Sequence, residues 1–298
     1  MKRVLSILVV FSLFVLAACS GSPAVQTSPT LDNTPAATET PVVTGTPVET
    51  ATPEVTVTPV PTQVPTEAPN AIPVPDILQL VLKDDGTAVN GVQGGYEITD
   101  HGASKNIAKD TSVGMNVATF TGGGCAYNMD LTDVYGDIER SYTFEVFFKA
   151  TARPSDDTYW GIVDNQEAGG FGLNLKPTVG GGQYIRFAQK IDAEYQNPGD
   201  YTIELDKWYH CVVTWDETML VMYINGAKVG ELDTGYGIPE FTTVDSAMYL
   251  AIGAQCAAGV NGGLGFKGQI GICNLYTQTL SAEQVATIYQ NISAGFAG

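Results

Sequence analysis

Seven prolines stand at a strict six-residue step, from Pro23 through Pro29, Pro35, Pro41, Pro47 and Pro53 to Pro59, each preceded by Ser or Thr. Twelve of the 16 prolines fall between Ser20 and Pro75, where aromatic residues, Lys and Arg are all absent. Such a segment has too little apolar surface to offset the entropy of ordering it, so it is excluded from any packed core. Repeated Thr-Pro steps bias the backbone toward extended polyproline II. At about 3.1 Å per residue its reach is on the order of 170 Å. The segment reads as a stalk, and its Ser/Thr-Pro density is also that of O-glycosylated stalks.

Ahead of the stalk, Lys2 and Arg3 precede an apolar run from Val4 to Ala18. The run is shorter than the about 20 residues a spanning helix needs. A basic start, an apolar segment and small residues at its end form a secretory signal. The run closes on Leu16-Ala17-Ala18-Cys19, which resembles the lipobox of bacterial lipoproteins. That resemblance implies cleavage before Cys19 and a lipid on Cys19. The rest of the chain is then extracytoplasmic, anchored to a bacterial membrane and displayed at the cell surface. Ser20, in place of an Asp, permits release toward an outer surface. The expected organisation is a signal peptide over 1–18, a lipidated N-terminus and disordered linker over 19–75, and one folded domain over 76–298.

The folded part is long enough for one well-filled core. The whole chain carries a net charge of −18, and loss of Lys2 and Arg3 would leave 32 acids against 12 bases. A surface so acidic argues against nucleic acid and anionic headgroups as partners. Besides Cys19 there are four cysteines, Cys125, Cys211, Cys256 and Cys273. An even number in an exported domain permits two disulfides with three possible connectivities. No two of them have the close spacing of a zinc site.

From Asp76 onward the pattern is β. Tyr142, Phe144, Val146 and Phe148 alternate with Thr143, Glu145, Phe147 and Lys149, the period-two signature of a strand with one face in the core. Similar runs recur at 77–82, 115–120, 183–189 and 248–253, separated by glycine-rich breaks. Many short strands with regular turns predict an all-β sandwich or jelly roll. Between Trp208 and Leu232 two apolar runs flank Asp216-Glu217-Thr218. Asn225-Gly226 then supplies the residues of a tight hairpin turn. The spacing predicts a three-strand meander. One helix is predicted near the end, with Ser281 as cap, Gln284 completing a capping box, and Val285, Ile288, Tyr289 and Ile292 on one face.

The order of HCVVTWD, MYINGAKV, LAIG and FKGQIGICNLYTQTLSAEQVATIY after Trp208 resembles a laminin G-like domain of the concanavalin A-like lectin/glucanase superfamily. YTFEVFFKA and VATFTGGGCAYNM extend the match upstream. Gly271 departs from it, standing where many relatives carry an acid. The resemblance implies a two-sheet antiparallel jelly roll with one short C-terminal helix. It also implies a non-catalytic recognition module for glycans or proteins, sometimes calcium-dependent. A Cys256–Cys273 disulfide follows from the same likeness.

Glucanases of this superfamily carry catalytic carboxylates on alternating residues of one strand, and retaining glycosidases need two about 5 to 5.5 Å apart. Glu145 stands alone, with Thr143 and Phe147 as same-face neighbours, and reads as a solvated residue of the concave sheet. His101 and His210 fall in no recognisable constellation. The chain is therefore expected not to be an enzyme. For ligand contact the candidates are Trp160, whose face can stack on a sugar ring, and Asp164-Asn165, whose oxygens and amide can take hydroxyls. The competing roles are Trp160 packed under a loop and Asp164-Asn165 turning the chain. Trp208 and Trp215 read as core. Calcium is the candidate cofactor, with Asp164 and Asn165 as candidate ligands and the loop at Asn261 as a second source of oxygens. The leading reading is a displayed carbohydrate-binding domain. The alternatives are an adhesin or assembly subunit with a protein partner, and a diverged polysaccharide-active enzyme.

Overall fold

In the computed structural model, described for residues 71–101, 106–123, 126–237, 239–241, 249–255 and 264–296, the chain forms two antiparallel sheets packed face to face. The first sheet is centred on β7 (Tyr142–Ala150), which pairs on one side with β13 (Trp208–Trp215) and on the other with β17 (Lys267–Tyr276). Beyond β13 lie β14 (Met219–Ile224) and β15 (Ala227–Asp233). Beyond β17 lie β1 (Leu78–Leu82) and β2 (Ala88–Asn90), while β5 (Met115–Thr121) pairs β17 and carries β4 (Asn106–Asp110). The second sheet runs β11 (Glu194–Gln196), β10 (Gln183–Ile191), β9 (Phe171–Pro177), β8 (Trp160–Asp164), β16 (Tyr249–Ile252), β6 (Tyr127–Asp130) and β3 (Ile98–Asp100). A short strand β12 (Asp200–Thr202) adds to β10.

Period-two patterning decides which residues meet between the sheets. Tyr142, Phe144, Val146 and Phe148 of β7 face Phe171, Leu173 and Leu175 of β9 and Ile185 and Phe187 of β10 across one apolar core. Trp215 is completely buried there. The predicted strands at 77–82, 115–120, 142–149 and 183–189 appear as β1, β5, β7 and β10, and the described part of 248–253 as β16. The meander appears as β13, β14 and β15, joined at Asn225 (φ 52°) and Gly226 (φ 79°), the paired left-handed angles of a tight hairpin turn. The last glycine of LAIG has a steric cause. Gly253 has φ +94°, and a Cβ there would stand 2.2 Å from the Phe120 ring.

The predicted helix is α2 (Ala282–Ser293), with the Ser281–Gln284 capping box formed in both directions. It covers the outer face of the first sheet, where Val285 and Ile288 pack with Val212, Tyr223, Tyr276 and Leu280. Burying one such aliphatic side chain stabilises by about 1.5–3 kcal/mol. The docked chain begins ahead of the expected boundary at 76. The Ala71 carbonyl accepts a bond from Gln284 Nε2 at 2.7 Å, and Ile72 packs beside the helix. The four-residue helix α1 (Tyr135–Ile138) was not foreseen.

Two expectations are corrected. Trp208 is not between the sheets: it stacks on Phe147 at 4.6 Å on the outer face. Cys211 and Cys273 are buried and point into the inter-sheet core; the other half of the expected Cys256–Cys273 pair lies outside the described residues. Both cysteines are in register with Val146, on opposite sides of β7. Two strand spacings, about 10 Å, exceed the roughly 7 Å limit for a disulfide between them. The second correction concerns Glu145, which is 1% exposed instead of solvated. Cys19, Cys125, Cys256 and Asn261, with the signal peptide and stalk assigned to 1–18 and most of 19–75, lie outside the described residues. Among the described residues no helix is long and apolar enough to cross a membrane.

Candidate binding site

Two outer faces remain after the sheets close on each other. On the first sheet, Glu145 is enclosed beneath α2. Its Oε1 lies 2.9 Å from His210 Nε2, and its Oε2 accepts from Asn274 Nδ2 at 2.8 Å and the Tyr276 hydroxyl at 2.7 Å. Burial alone would raise the Glu145 carboxyl, but the His210 hydrogen bond and charge, then Tyr276 and Asn274, outweigh it and leave it below the usual carboxylate range. The Tyr289 ring of α2 stacks over His210 at 6.0 Å. The pair that sequence alone left unconnected is therefore a buried structural network closed to any substrate.

The second sheet presents a cavity of about 240 Å³ on its outer face. Alternation places its floor. Phe171, Leu173 and Leu175 turn inward, so Gly172, Asn174 and Lys176 of β9 turn outward. In the same way Arg186 and Ala188 of β10 face outward, with Asn174 in register with Arg186 and Gly172 with Ala188. Tyr159, just before β8, and Tyr195 of β11 form walls. Burial foremost, with Asp164 and Glu167 nearby, pushes the Tyr159 phenol up to about 12. Tyr195 is raised for the same leading reason. Both therefore remain neutral at physiological pH; the Tyr195 hydroxyl donates to the Gly169 carbonyl at 2.8 Å and the Tyr159 hydroxyl accepts from Gln255 Nε2 at 2.5 Å.

Asn174 is 2% exposed and lines this cavity. Its orientation is fixed by a chain of bonds. Gln166 Nε2 donates to the Ala188 carbonyl at 2.9 Å, which turns Gln166 Oε1 toward Asn174 Nδ2 at 2.5 Å. Asn174 Oδ1 is left as a buried acceptor with no hydrogen-bond partner. Unpaired buried polar atoms cost about 1–3 kcal/mol, and one in a cavity wall is a place where a ligand donor gains most.

Lys176 Nζ sits 4.9 Å over the Tyr159 ring and makes no ion pair among the described residues. Its ammonium is lowered by burial and then by Arg186, with Asp200 and Asp164 acting the other way. Arg186 is held by Asp200 through Nε and Nη2 at 2.6 and 2.7 Å.

The residues singled out from sequence lie around this cavity without forming its surface. Trp160 is in register with Leu175 and packs against the inter-sheet core, with Lys267 Nζ 5.3 Å over its ring. The aromatic on the cavity wall is its neighbour Tyr159. Asp164 is fully buried, its Oδ1 accepting the Gln166 backbone N–H and its Oδ2 2.6 Å from where a Cβ of Gly172 would stand. Asn165 is also fully buried, donating to the Tyr249 carbonyl at 2.9 Å. Both support the wall from within. Among the described residues no group of three or more His, Cys, Asp or Glu converges as a metal site. A second cavity, near Tyr236 and Pro239, holds Arg140 already paired with Glu217.

A laminin G-type family model, described as the concanavalin A-like lectin/glucanases superfamily, matches residues 123–286, more than half of the chain. The chain belongs to this superfamily. Its match takes in β7 to β17 and the cavity strands alike. A search of curated proteins found no match. Similar solved structures include the binding domain of botulinum neurotoxin DC in complex with SialylT, at 13% identity and a TM-score of 0.55, covering 72% of this chain and 51% of that one. The same toxin domain in complex with rat synaptotagmin II aligns at 13% identity and 0.53, covering 72% and 51%. The binding domain of Paraclostridial Mosquitocidal Protein 1 aligns at 13% and 0.53, covering 72% and 52%. This superfamily member thus spans about half the length of these structures, and at such identity the likeness is one of fold. The structures are named as binding domains.

Proposed function

We propose that the chain is a bacterial surface lipoprotein, anchored to the membrane through Cys19. The Thr/Pro stalk then displays a non-catalytic recognition domain that binds carbohydrate. The cavity bordered by β8, β9, β10 and β11 is the binding site. The observation that carries this reading is the unpartnered Asn174 Oδ1 set between two tyrosine walls. A sugar offers ring faces for the aromatics and hydroxyl donors for the acceptor. Asp164 and Asn165 make hydrogen bonds within the fold, and calcium is kept as a variable of the test. A protein ligand is the second reading, favoured by the likeness to a toxin domain in complex with rat synaptotagmin II.

Affinity electrophoresis of the mature protein through gels cast with different polysaccharides tests the reading, run in calcium and again in chelator. Retardation by one polysaccharide class under both conditions is the expected result. Free migration in every gel, together with capture of a defined surface protein, would overturn it in favour of the second reading.

A further inference from the structure

We infer that the cavity selects an acidic sugar, with Lys176 and the free edge of Arg186 receiving its anionic group while Asn174 Oδ1 accepts from a neighbouring hydroxyl or amide N–H. The inference rests on the carbohydrate reading of this site and narrows it.

The chain carries a net charge of −18, yet two cations meet on this one outer face. Asn174 stands opposite Arg186, and Lys176 opposite Tyr184, so the two cationic side chains project side by side from adjacent strands. Asp200 takes Nε and Nη2 of Arg186 and leaves Nη1 available. Lys176 has the Tyr159 ring beneath it and no carboxylate in contact among the described residues. Glu167 acts on the two tyrosines, and the carboxylates that act on Lys176 itself are Asp200 and Asp164. Asp200 is spent on Arg186, and Asp164 is fully buried beside Gly172 with Gln166 N–H on its Oδ1. A half-buried ammonium lacking an ion partner gains more from an anion than from a neutral hydroxyl, because charge-assisted hydrogen bonds are roughly twice as strong as neutral ones. Donors and acceptor together describe the ligand: an anionic group flanked by a hydroxyl or an acylated amine on one ring.

The test is isothermal titration of the mature protein with matched sugars: 3′-sialyllactose against lactose, oligogalacturonate against its carboxyl-reduced form, and a sulfated oligosaccharide as a second source of negative charge. The expected result is at least a tenfold preference for an acidic member over its neutral counterpart. Lys176→Gln and Lys176→Glu should weaken acidic binding tenfold or more. Lys176→Arg should stay within a few-fold, and Lys83→Gln on an exposed loop should change nothing. Melting curves confirm that each variant is folded. Equal binding of acidic and neutral partners would overturn the inference while leaving the carbohydrate reading standing. Absence of binding to every sugar by folded protein would overturn both.

Discussion

The two outer faces of the sandwich are built from the same period-two alternation and have opposite fates. On the first sheet α2 and the residues before β1 close over the face, and the buried carboxylate of Glu145 finds partners on two neighbouring strands. On the second sheet Asn174, Lys176 and Arg186 line a cavity, and the buried Asn174 Oδ1 is left without a hydrogen-bond partner. A polar group satisfied from within serves stability. An unpartnered buried acceptor in a cavity wall is where the proposal places recognition. In glucanases of this superfamily the chemistry lies on strand carboxylates. Here the one carboxylate on the central strand has been drawn into the scaffold.

The comparison can be broken by substitution on either face. The largest effect is expected at Glu145. Glu145→Leu leaves His210, Asn274 and Tyr276 without their acceptor, and should cost about 3–5 kcal/mol by urea unfolding, as breaking a buried pair does. Ile288→Ala on α2 should cost about 2 kcal/mol by the same measurement. On the open face the order reverses. Asn174→Ala removes the unpaired Oδ1 together with the Nδ2 donor to Gln166 Oε1, so it should cost about 1–2 kcal/mol while weakening ligand binding severalfold or more.

Acid sharpens the contrast further. The Glu145 carboxyl is depressed in the folded state. Its contribution is therefore fully present above the unfolded carboxylate pKa, and is lost as pH falls through the lower folded value. Melting temperature should be flat near neutrality and fall below about pH 4.5, with that fall reduced in Glu145→Gln. The smallest effect on the domain itself is expected at Cys19. Cys19→Ala should abolish incorporation of a labelled fatty acid and release the protein from membranes, with unfolding of the domain unchanged.

Much of the first sheet was legible because its signals are local. Period two marked β7 and β13, Asn225-Gly226 marked the hairpin, and Ser281 with Gln284 marked the helix start. Alternation gives the face a residue occupies but not what covers that face. Glu145 therefore read as solvated, since the helix that buries it comes more than 130 residues later. The Glu145–His210 contact is diagonal between strands and needs the β7–β13 register, in which Glu145 lies opposite Val212.

The candidate residues lie beside the cavity for a related reason. The sequence predicts the strand at 183–189 but singles out no outward residue on it. Its partner β9 is not predicted, so Asn174 and Lys176 go unnoticed. Trp160 was chosen for its ring, but register with Leu175 turns that ring inward. An irregularity between Gly161 and Val163 then buries both Ile162 and Val163. Such a bulge leaves no mark in a run of five residues.

The most direct test places one variant on each outer face and reads binding alone. Mature wild-type protein, Tyr159→Ala and Tyr289→Ala would be compared on one glycan array, each shown to be folded by its melting curve. The account expects wild type and Tyr289→Ala to retain the same glycan class and Tyr159→Ala to lose it. Binding that survives Tyr159→Ala but disappears with Tyr289→Ala would contradict it, and would move the recognition surface to the face that α2 covers.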